Sequence, residues 1–243
     1  DMDVLGNARV DRAVDRATSD TDLGATDACG LLSASGIDVY RITQLLTAGL
    51  LGSEKRRRVV PTRWAITAVD DTVSKQLVKK IARYPPLSEI EVYSASLYGN
   101  HIVCILIPGD WKFEMIEVWG KQSLWGGGSE TIAVDGEGLT KSGYSPLAGA
   151  YYSARLAVAE HLEGVRRSAR ALLLRNVTGE YWAPLGTWVV REATRNAMRG
   201  ERAVCADIGE ATALASRLIG FTHWRPHSRL IPELATQKTL FDF

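Results

Sequence analysis

The spacing of apolar residues predicts the first clear helix of the chain. Between Asp38 and Leu51, apolar side chains occupy positions i, i+3, i+4 and i+8 counted from Ile42, which places them on one helix face. Gly52 follows this run, and glycine is the residue that most often ends a helix. We therefore expect a helix that begins near Asp38 and ends before Gly52.

A second helix is predicted at the end of the segment 62–71. Asp70 or Asp71 is expected to be its N-cap, because an aspartate there accepts a hydrogen bond from an amide of the first turn. The buried face of this helix is predicted to consist of Val73, Leu77 and Ile81. Pro85-Pro86 then stops it, because proline cannot continue a helix.

Three stretches rich in β-branched and aromatic residues predict strands, over residues 90–98, 101–107 and 111–119. Gly99-Asn100 fits a two-residue hairpin turn between the first two strands. In the third stretch the alternation of apolar and polar residues slips at Ile116, which suggests a bulge. This order indicates an antiparallel meander with one face covered by helices.

The second half of the chain alternates between loops, helices and one further strand. Gly126-Gly127-Gly128 opens a flexible loop that runs to Pro146. The elements predicted after it are a helix over 151–165, a strand over 171–177, a helix capped by Thr187 that runs to Gly200, and a helix over 207–218. From His223 onward, prolines and scattered polar residues predict an irregular segment.

The predicted fold class is therefore α+β, an antiparallel β-meander packed with several helices and followed by a disordered or extended C-terminal tail. The predicted domains are a single globular domain over residues 1–222 and a tail over residues 223–243. This division follows the loss of periodic apolar residues after His223.

Composition favours a soluble protein. Of the 243 residues, 46% are hydrophobic and 23% are charged, as is ordinary for a globular domain. No apolar run reaches the ~18–20 residues of a membrane span, and the acidic start lacks the basic region of a signal peptide. We expect a cytoplasmic protein with no membrane partner.

The charge balance limits how the chain could bind nucleic acid. It carries 29 basic and 28 acidic side chains, for a net charge of +1. A protein that coats nucleic acid unaided usually has a marked basic excess. DNA contact is therefore expected from local basic patches or through a partner that supplies the DNA.

A metal site is not predicted from the cysteines and histidines. The cysteines are far apart and form no C-x-x-C pair, so buried neutral thiols are expected at Cys29, Cys104 and Cys205. His223 and His227 have helical spacing, but Pro226 between them argues against a helix there. We expect no resident cofactor.

The last seven residues carry a clamp-binding pattern. Peptides that dock on the ring-shaped DNA sliding clamp, PCNA, follow Gln-x-x-aliphatic-x-x-aromatic, and Gln237, Leu240 and Phe243 occupy these positions. In a single 3₁₀ turn, residues i and i+3 eclipse one another, so Leu240 and Phe243 would project together with Phe241 beside them. Burying such side chains yields about 1.5–3 kcal/mol each before the ordering cost.

The alternative is that this segment packs as an amphipathic end on its own domain. Three large apolar residues in an otherwise polar segment would be exposed in a monomer, which favours docking on a partner. The second aromatic residue that often completes the pattern has no counterpart after Phe243, and Phe241 partly takes its place.

Two segments resemble the archaeal Nre family of DNA repair proteins. They are LGSEKRRRVVPTRWAITAVDD over residues 51–71 and GTWVVREATRNAM over residues 186–198. The resemblance extends from about residue 10 to the end and implies a role in the response to DNA damage together with the clamp. Members of the family end in a clamp-interacting peptide, which maps onto Gln237 to Phe243. Some members carry a zinc-ribbon-like cysteine cluster that is absent here, which indicates a removed N-terminal part or a member without the ribbon.

Two arginine groups are candidate contacts for phosphates. The first is Arg56, Arg57, Arg58 and Arg63 beside Trp64, where guanidinium groups suit phosphates and the indole suits base stacking. Its alternative is a solvated loop with Trp64 in the core. The second is Arg191, Arg195 and Arg199, a basic stripe at helical spacing, although such charged stripes are usually just solvated faces.

An enzymatic alternative rests on carboxylates. Asp70 and Asp71 could hold a divalent metal for phosphoester chemistry, with Glu192 or Asp135 as a distant helper. Helix capping explains the aspartate pair more simply. The Gly126-Gly127-Gly128 segment matches no nucleotide-binding fingerprint, which favours a mobile loop.

The leading hypothesis is a DNA repair factor that the clamp delivers through the C-terminal peptide and that contacts nucleic acid or a nucleotide through its arginines. The alternative is a metal-dependent phosphoesterase or nucleotide-processing enzyme delivered by the same peptide. The sequence leaves open whether the chain is an enzyme.

Overall fold

The computed structural model describes residues 9–123 and 127–236. The chain divides into two compact units, 1–73 and 74–243. The helices are α1 (Arg12–Ser19), α2 (Ala25–Ala34), α3 (Val39–Thr47), α4 (Thr62–Ile81), α5 (Gly149–Val165), α6 (Trp188–Arg199), α7 (Ile208–Ile219) and α8 (Leu230–Thr236). The strands are β1 (Ile90–Leu97), β2 (Asn100–Pro108), β3 (Lys112–Trp119), β4 (Thr131–Glu137), β5 (Ala169–Val177) and β6 (Ala203–Cys205). Short 3₁₀ helices occupy Glu54–Arg56 and Arg225–His227.

The first unit consists of α1, α2, α3 and the first turns of α4. Asp11 caps α1 by accepting a hydrogen bond from the Ala13 amide at 2.8 Å. Asp38 caps α3 in the same way, with the amides of Tyr40 and Arg41 as donors. Both carboxylates satisfy backbone donors that have no acceptor within the helix. The start predicted for α3 is therefore confirmed.

The end of α3 lies earlier than predicted, at Gly49 rather than Gly52. Gly49 has a φ of +73°, and the amide of Leu50 donates to the carbonyl of Leu45. This is the hydrogen bond of a Schellman cap, which needs a left-handed residue at its centre. A side chain at Gly49 would also lie 2.8 Å from the backbone of Arg58, so glycine is required for space as well.

The start predicted for α4 was wrong. This helix begins at Thr62, where the Pro61 carbonyl accepts hydrogen bonds from the amides of Trp64 and Ala65. Asp70 and Asp71 therefore lie inside the helix and do not cap it. The segment after Pro61 contains no glycine or proline to delay the helix, so nothing required an aspartate cap.

The second unit contains a six-stranded mixed sheet in the order β4-β3-β5-β2-β1-β6. The α+β class is confirmed, but the simple meander was wrong. Strand β5 lies between β2 and β3, antiparallel to the first and parallel to the second. A parallel pair needs a crossover connection, and α5 supplies it by leading into β5.

Both faces of the sheet are covered, whereas helices were predicted on one face only. Phe113, Met115 and Leu173 belong to the apolar cluster that includes residues of α5 and α6. Ile116 and Leu172 belong to the cluster on the other face, together with residues of α7. Apolar residues on both faces explain the break in alternation at Ile116. The predicted bulge was wrong, because β3 pairs residue for residue with β4 and β5.

The turn between β1 and β2 is one residue earlier than predicted. Leu97 pairs with Asn100, so Tyr98 and Gly99 form the turn, with φ values of +48° and +70°. Positive φ at both central residues is the signature of a type I′ hairpin. Gly99 is also required for space, because a Cβ there would lie 2.3 Å from the Tyr181 amide nitrogen.

Two features differ from the loops predicted in the second unit. Thr131–Glu137 forms the edge strand β4 within the stretch predicted as a flexible loop. The described part of the predicted tail, residues 223–236, is folded onto the sheet. Trp224 is fully buried there, and its Nε1 donates to the Ser216 hydroxyl at 3.0 Å. This buried indole helps to fix a segment that lacks periodic apolar residues, together with the buried Leu230.

Candidate functional site

Four residues that are close in the sequence of the first unit are exposed, and we call them the Arg/Trp surface: Arg56, Arg58, Arg63 and Trp64. Trp64 is 60% exposed, so it does not belong to a core. The Arg63 guanidinium carbon lies 6.0 Å from the centre of the Trp64 ring, which allows a cation–π interaction. Both residues lie in the first turn of α4.

Arg57, between two members of this surface, has a structural role. Its Nε donates to the Gly52 carbonyl and its Nη1 to the Thr18 carbonyl, each at 2.7 Å. Its Nη2 donates to the Asp20 carbonyl. One guanidinium thus holds three backbone carbonyls within the first unit, and it is not available for phosphate in this arrangement.

The predicted basic stripe on α6 is not a solvated face. Arg191 is 1% exposed. Arg195 donates to both carboxylate oxygens of Glu160, at 2.7 and 2.6 Å, and to Glu192 at 2.8 Å. Burial alone would lower the pKa of Arg195, but its bonds to Glu160 and Glu192 raise it above its usual range. Of the three arginines, Arg199 remains exposed.

The carboxylates proposed for metal-dependent chemistry are engaged elsewhere. Asp70 is fully buried in the middle of α4. Glu192 pairs with Arg195, and Asp135 pairs with Lys141 at 2.6 Å. Within residues 9–123 and 127–236, no group of three or more His, Cys, Asp or Glu side chains is placed to hold a metal ion.

The histidines and cysteines are placed apart from any such chemistry. His223 Nε2 lies 2.6 Å from Glu130, on the described part of the β3–β4 connection. Cys29, Cys104 and Cys205 are buried free thiols, as predicted. Burial raises the pKa of the Cys29 thiol to about 11, which keeps it neutral and unreactive.

Two predicted features fall outside the described residues. The clamp-binding peptide, with Gln237, Leu240, Phe241 and Phe243, is one of them. The start of the glycine segment at Gly126 is the other. Among the described helices, none combines the length and the apolar composition that a membrane crossing requires.

Sequence reasoning missed a buried polar network in the second unit. Arg175 is 3% exposed and donates through Nε and Nη2 to the Asn100 side-chain oxygen, at 3.0 and 2.5 Å. Its Nη1 donates to Glu117, which also accepts from Trp119 Nε1 at 2.6 Å. The signal was available, because a charged residue within an apolar strand is buried only when it has a specific partner.

A second missed group surrounds Arg155 on α5. Its Nε donates to the Ser74 hydroxyl at 3.0 Å, and its Nη1 donates to both oxygens of Glu137, at 3.1 and 2.9 Å. Burial raises the pKa of Glu137, although the Arg155 charge opposes that shift. This pair joins α5 to the edge strand β4.

Comparisons with known proteins agree with the resemblance seen in the sequence. The family model described as Archaeal Nre, N-terminal, matches residues 1–126, and the model described as Archaeal Nre, C-terminal, matches residues 137–243. No solved structure matches the chain significantly.

Three curated relatives match over most of the chain. DNA repair protein NreA of Haloferax volcanii is 40% identical over 86% of the chain and 51% of its own length. DNA repair protein NreA of Archaeoglobus fulgidus is 36% identical over 90% of the chain and 56% of its own length. DNA repair protein NreB of the same organism is 36% identical over 97% of the chain and 60% of its own length. The chain thus spans little more than half the length of these relatives.

Proposed function

The chain belongs to the archaeal Nre family, and from this premise we propose that it acts in DNA repair as a factor that contacts nucleic acid and is delivered to it by the sliding clamp. The curated relatives are named as DNA repair proteins, which supports the repair role. The proposed contacts require no cofactor.

The observation that carries the nucleic-acid contact is the exposure of Trp64 beside Arg63. An indole that is 60% exposed presents a flat apolar face to solvent, on which a base can stack. The guanidinium 6.0 Å away adds a charge for the phosphate of the same nucleotide. Arg56 and Arg58 extend the charge along the preceding segment. This combination favours single-stranded nucleic acid, in which bases are free to stack.

The enzymatic alternative gains no support from its own residues. Asp70 is buried inside α4, and Glu192 is bound to Arg195. We therefore favour an interaction factor over a metal-dependent phosphoesterase.

Clamp delivery is proposed from the sequence of the C-terminal peptide. Leu240 and Phe243 are spaced to form a two-pronged apolar plug, and Gln237 is placed to reach a polar pocket at its rim. The segment just before the peptide is anchored. Glu114, 5% exposed in β3, accepts hydrogen bonds from the amides of Arg229 and Leu230, at 2.7 and 3.3 Å. This anchor fixes the start of α8 on the sheet.

The nucleic-acid contact is tested by fluorescence anisotropy with a labelled single-stranded oligonucleotide over a series of salt concentrations. Trp64→Ala should weaken binding by about 1–3 kcal/mol, because it removes the stacking face. Arg63→Gln should reduce the slope of log affinity against log salt by about 0.7, the value expected for one lost phosphate contact.

The matched control is Arg199→Gln, since Arg199 is exposed but lies in the second unit. It should change neither the affinity nor the slope. Oligonucleotide affinity that is unchanged by Trp64→Ala would refute the Arg/Trp surface as the contact.

A further inference from the structure

Two neighbouring cavities lie in the second unit, beyond one end of the strands of the sheet. The first has a volume of about 330 Å³ and is lined by residues at the carboxyl ends of the parallel strands β3 and β5, among them Trp119 and Arg175. The second has a volume of about 320 Å³. Tyr181 lines both, so the cavities adjoin. Beyond the carboxyl ends of parallel strands is where sheets with crossover helices bind their ligands.

The wall of the first cavity is charged. Arg175 has five N–H groups, and its hydrogen bonds to Asn100 and Glu117 occupy three of them. The other two have no acceptor among the described residues. Each Glu117 oxygen accepts one hydrogen bond and keeps a lone pair for another. The wall therefore offers guanidinium donors for an anion and carboxylate acceptors for hydroxyl groups.

Two helices begin at this cavity. Gly149 starts α5, Thr187 is the N-cap residue of α6, and both residues line the cavity. Neither helix has a side-chain cap. The first amides of α5 are therefore open to a ligand, whereas in α6 the Val189 and Val190 amides already donate to the carbonyls of Gly186 and Thr187. Within the described part of the chain, the buried Thr187 hydroxyl oxygen has no hydrogen-bond partner. A buried hydroxyl rarely lacks a partner, so this oxygen is an independent sign of an unfilled polar site.

The second cavity is aromatic. It is lined by Tyr98, Glu180, Tyr181, Trp182, Ala183, Leu185 and Trp188. Tyr98 is 62% exposed and Trp182 is 74% exposed, although both are large apolar side chains. Tyr98 is held there by the tight turn in which Gly99 packs against the backbone of Tyr181. Exposed rings fixed around a cavity suit a flat ligand such as a nucleobase.

We propose that the two cavities together bind a nucleoside 5′-phosphate. The base lies against the aromatic wall of the second cavity, and the phosphate lies at the starts of α5 and α6 near Arg175. Glu117 accepts from a sugar hydroxyl. The same chemistry is offered by a free nucleotide and by the phosphorylated end of a DNA strand. This site is independent of the Arg/Trp surface, because all its residues belong to the second unit.

The test is a titration of the full chain with the four common ribonucleoside 5′-monophosphates and the matching nucleosides, followed by calorimetry and by tryptophan fluorescence. We expect at least one monophosphate to bind. The matching nucleoside should have an affinity at least about tenfold lower, because the phosphate contacts are lost. Trp182→Ala should lower the affinity for the monophosphate about tenfold, and its exposure makes the variant safe for folding.

Two further variants separate the parts of the site. Thr187→Val keeps the side-chain shape but removes the hydroxyl. It should therefore lower the affinity for the monophosphate severalfold and leave the affinity for the nucleoside unchanged. Leu139→Ala is the matched control, because Leu139 is 63% exposed and lines neither cavity, and it should leave nucleotide affinity unchanged. Because the Arg/Trp surface is tested with other variants and with an oligonucleotide, failure of one proposal is distinguishable from failure of the other.

Competition with an oligonucleotide identifies the source of the ligand. Displacement of the bound monophosphate by a 5′-phosphorylated strand, but not by its 5′-hydroxyl counterpart, assigns the site to strand ends. No displacement by either assigns it to free nucleotides. The proposal is overturned if neither a monophosphate nor a phosphorylated strand binds at millimolar concentration. It is equally overturned if Trp182→Ala binds as tightly as the unaltered chain.

Discussion

Neighbouring arginines in the first unit have different roles, and the difference lies in which backbone carbonyls they reach. Arg57 donates to the carbonyls of Gly52, Thr18 and Asp20. Arg56 and Arg58 are exposed and belong to the Arg/Trp surface. The run of basic residues in the sequence could not separate these roles, because they depend on loops that come close only in the folded unit.

Arg57→Lys should therefore destabilise the first unit by about 1–3 kcal/mol, because a lysine cannot satisfy three separated carbonyls with one ammonium group. Arg58→Lys, the adjacent control, should leave stability nearly unchanged. Urea unfolding of both variants measures the difference. Equal stability of the two would show that the guanidinium of Arg57 does not hold this loop.

His161 makes stability depend on pH. It packs edge-on against Tyr93, with ring centres 5.2 Å apart. Burial lowers the pKa of His161 below its usual value of 6.5, and the nearby Glu91 charge opposes only part of this shift. The unfolded chain therefore takes up a proton at higher pH than the folded chain does, so stability falls as pH drops below about 6.5.

His161→Gln should remove this part of the pH dependence. The free energy of unfolding of the unaltered chain should fall more between about pH 7.5 and about pH 5.5 than that of the variant. Denaturant unfolding at the two pH values measures both losses. The same loss in the two proteins would mean that His161 does not couple folding to protonation.

Individual elements were predictable where a local signal decides them. The helices predicted to begin near Asp38 and Asp207 do begin there, because each aspartate caps its helix and a cap depends on only a few consecutive residues. The position of β5 between β2 and β3 was not predictable, because pairing of distant strands leaves no local pattern. The Arg175 network was missed for the same reason, since its partners Asn100 and Glu117 come from two other strands.

The β1–β2 turn offers a prediction at the scale of one element. Gly99→Ala should destabilise the chain by about 3 kcal/mol or more, because its Cβ would lie 2.3 Å from the backbone nitrogen of Tyr181. Gly143→Ala is the matched control, since Gly143 has the same φ of +70° but open space around it. Its effect should be about 1 kcal/mol.

Thermal or urea unfolding of the two glycine variants isolates the steric part of the effect. The difference between them reports the packing of the turn against the 178–187 loop. Equal destabilisation would show that φ alone, and not this packing, requires glycine at position 99.

At the scale of the molecule, the two family matches do not coincide with the two compact units. Strands β1, β2 and β3 lie in the region matched by the N-terminal family model, and β5 and β6 lie in the region matched by the C-terminal model. Strand β4 reaches the second region only at Glu137. Because β3 pairs with both β4 and β5, the two family regions share one sheet. They should therefore unfold together, and neither region should be expected to fold alone.

The proposed activity is likewise distributed along the chain. The Arg/Trp surface belongs to the first unit, the anchored α8 belongs to the second, and the clamp-binding peptide follows α8. In this account the peptide determines where the protein is taken, and the folded units determine what it contacts there. The proposed delivery to DNA therefore depends most on the interaction between the peptide and the clamp.

Calorimetric titration of the chain with the sliding clamp of the same organism tests that interaction directly. The unaltered chain should bind the clamp. Leu240→Ala combined with Phe243→Ala should abolish binding without lowering the melting temperature. The control Lys238→Ala changes an unconstrained position of the pattern and should bind the clamp as the unaltered chain does. Clamp affinity that survives the double substitution, or an unaltered chain that does not bind the clamp, would contradict delivery by this peptide.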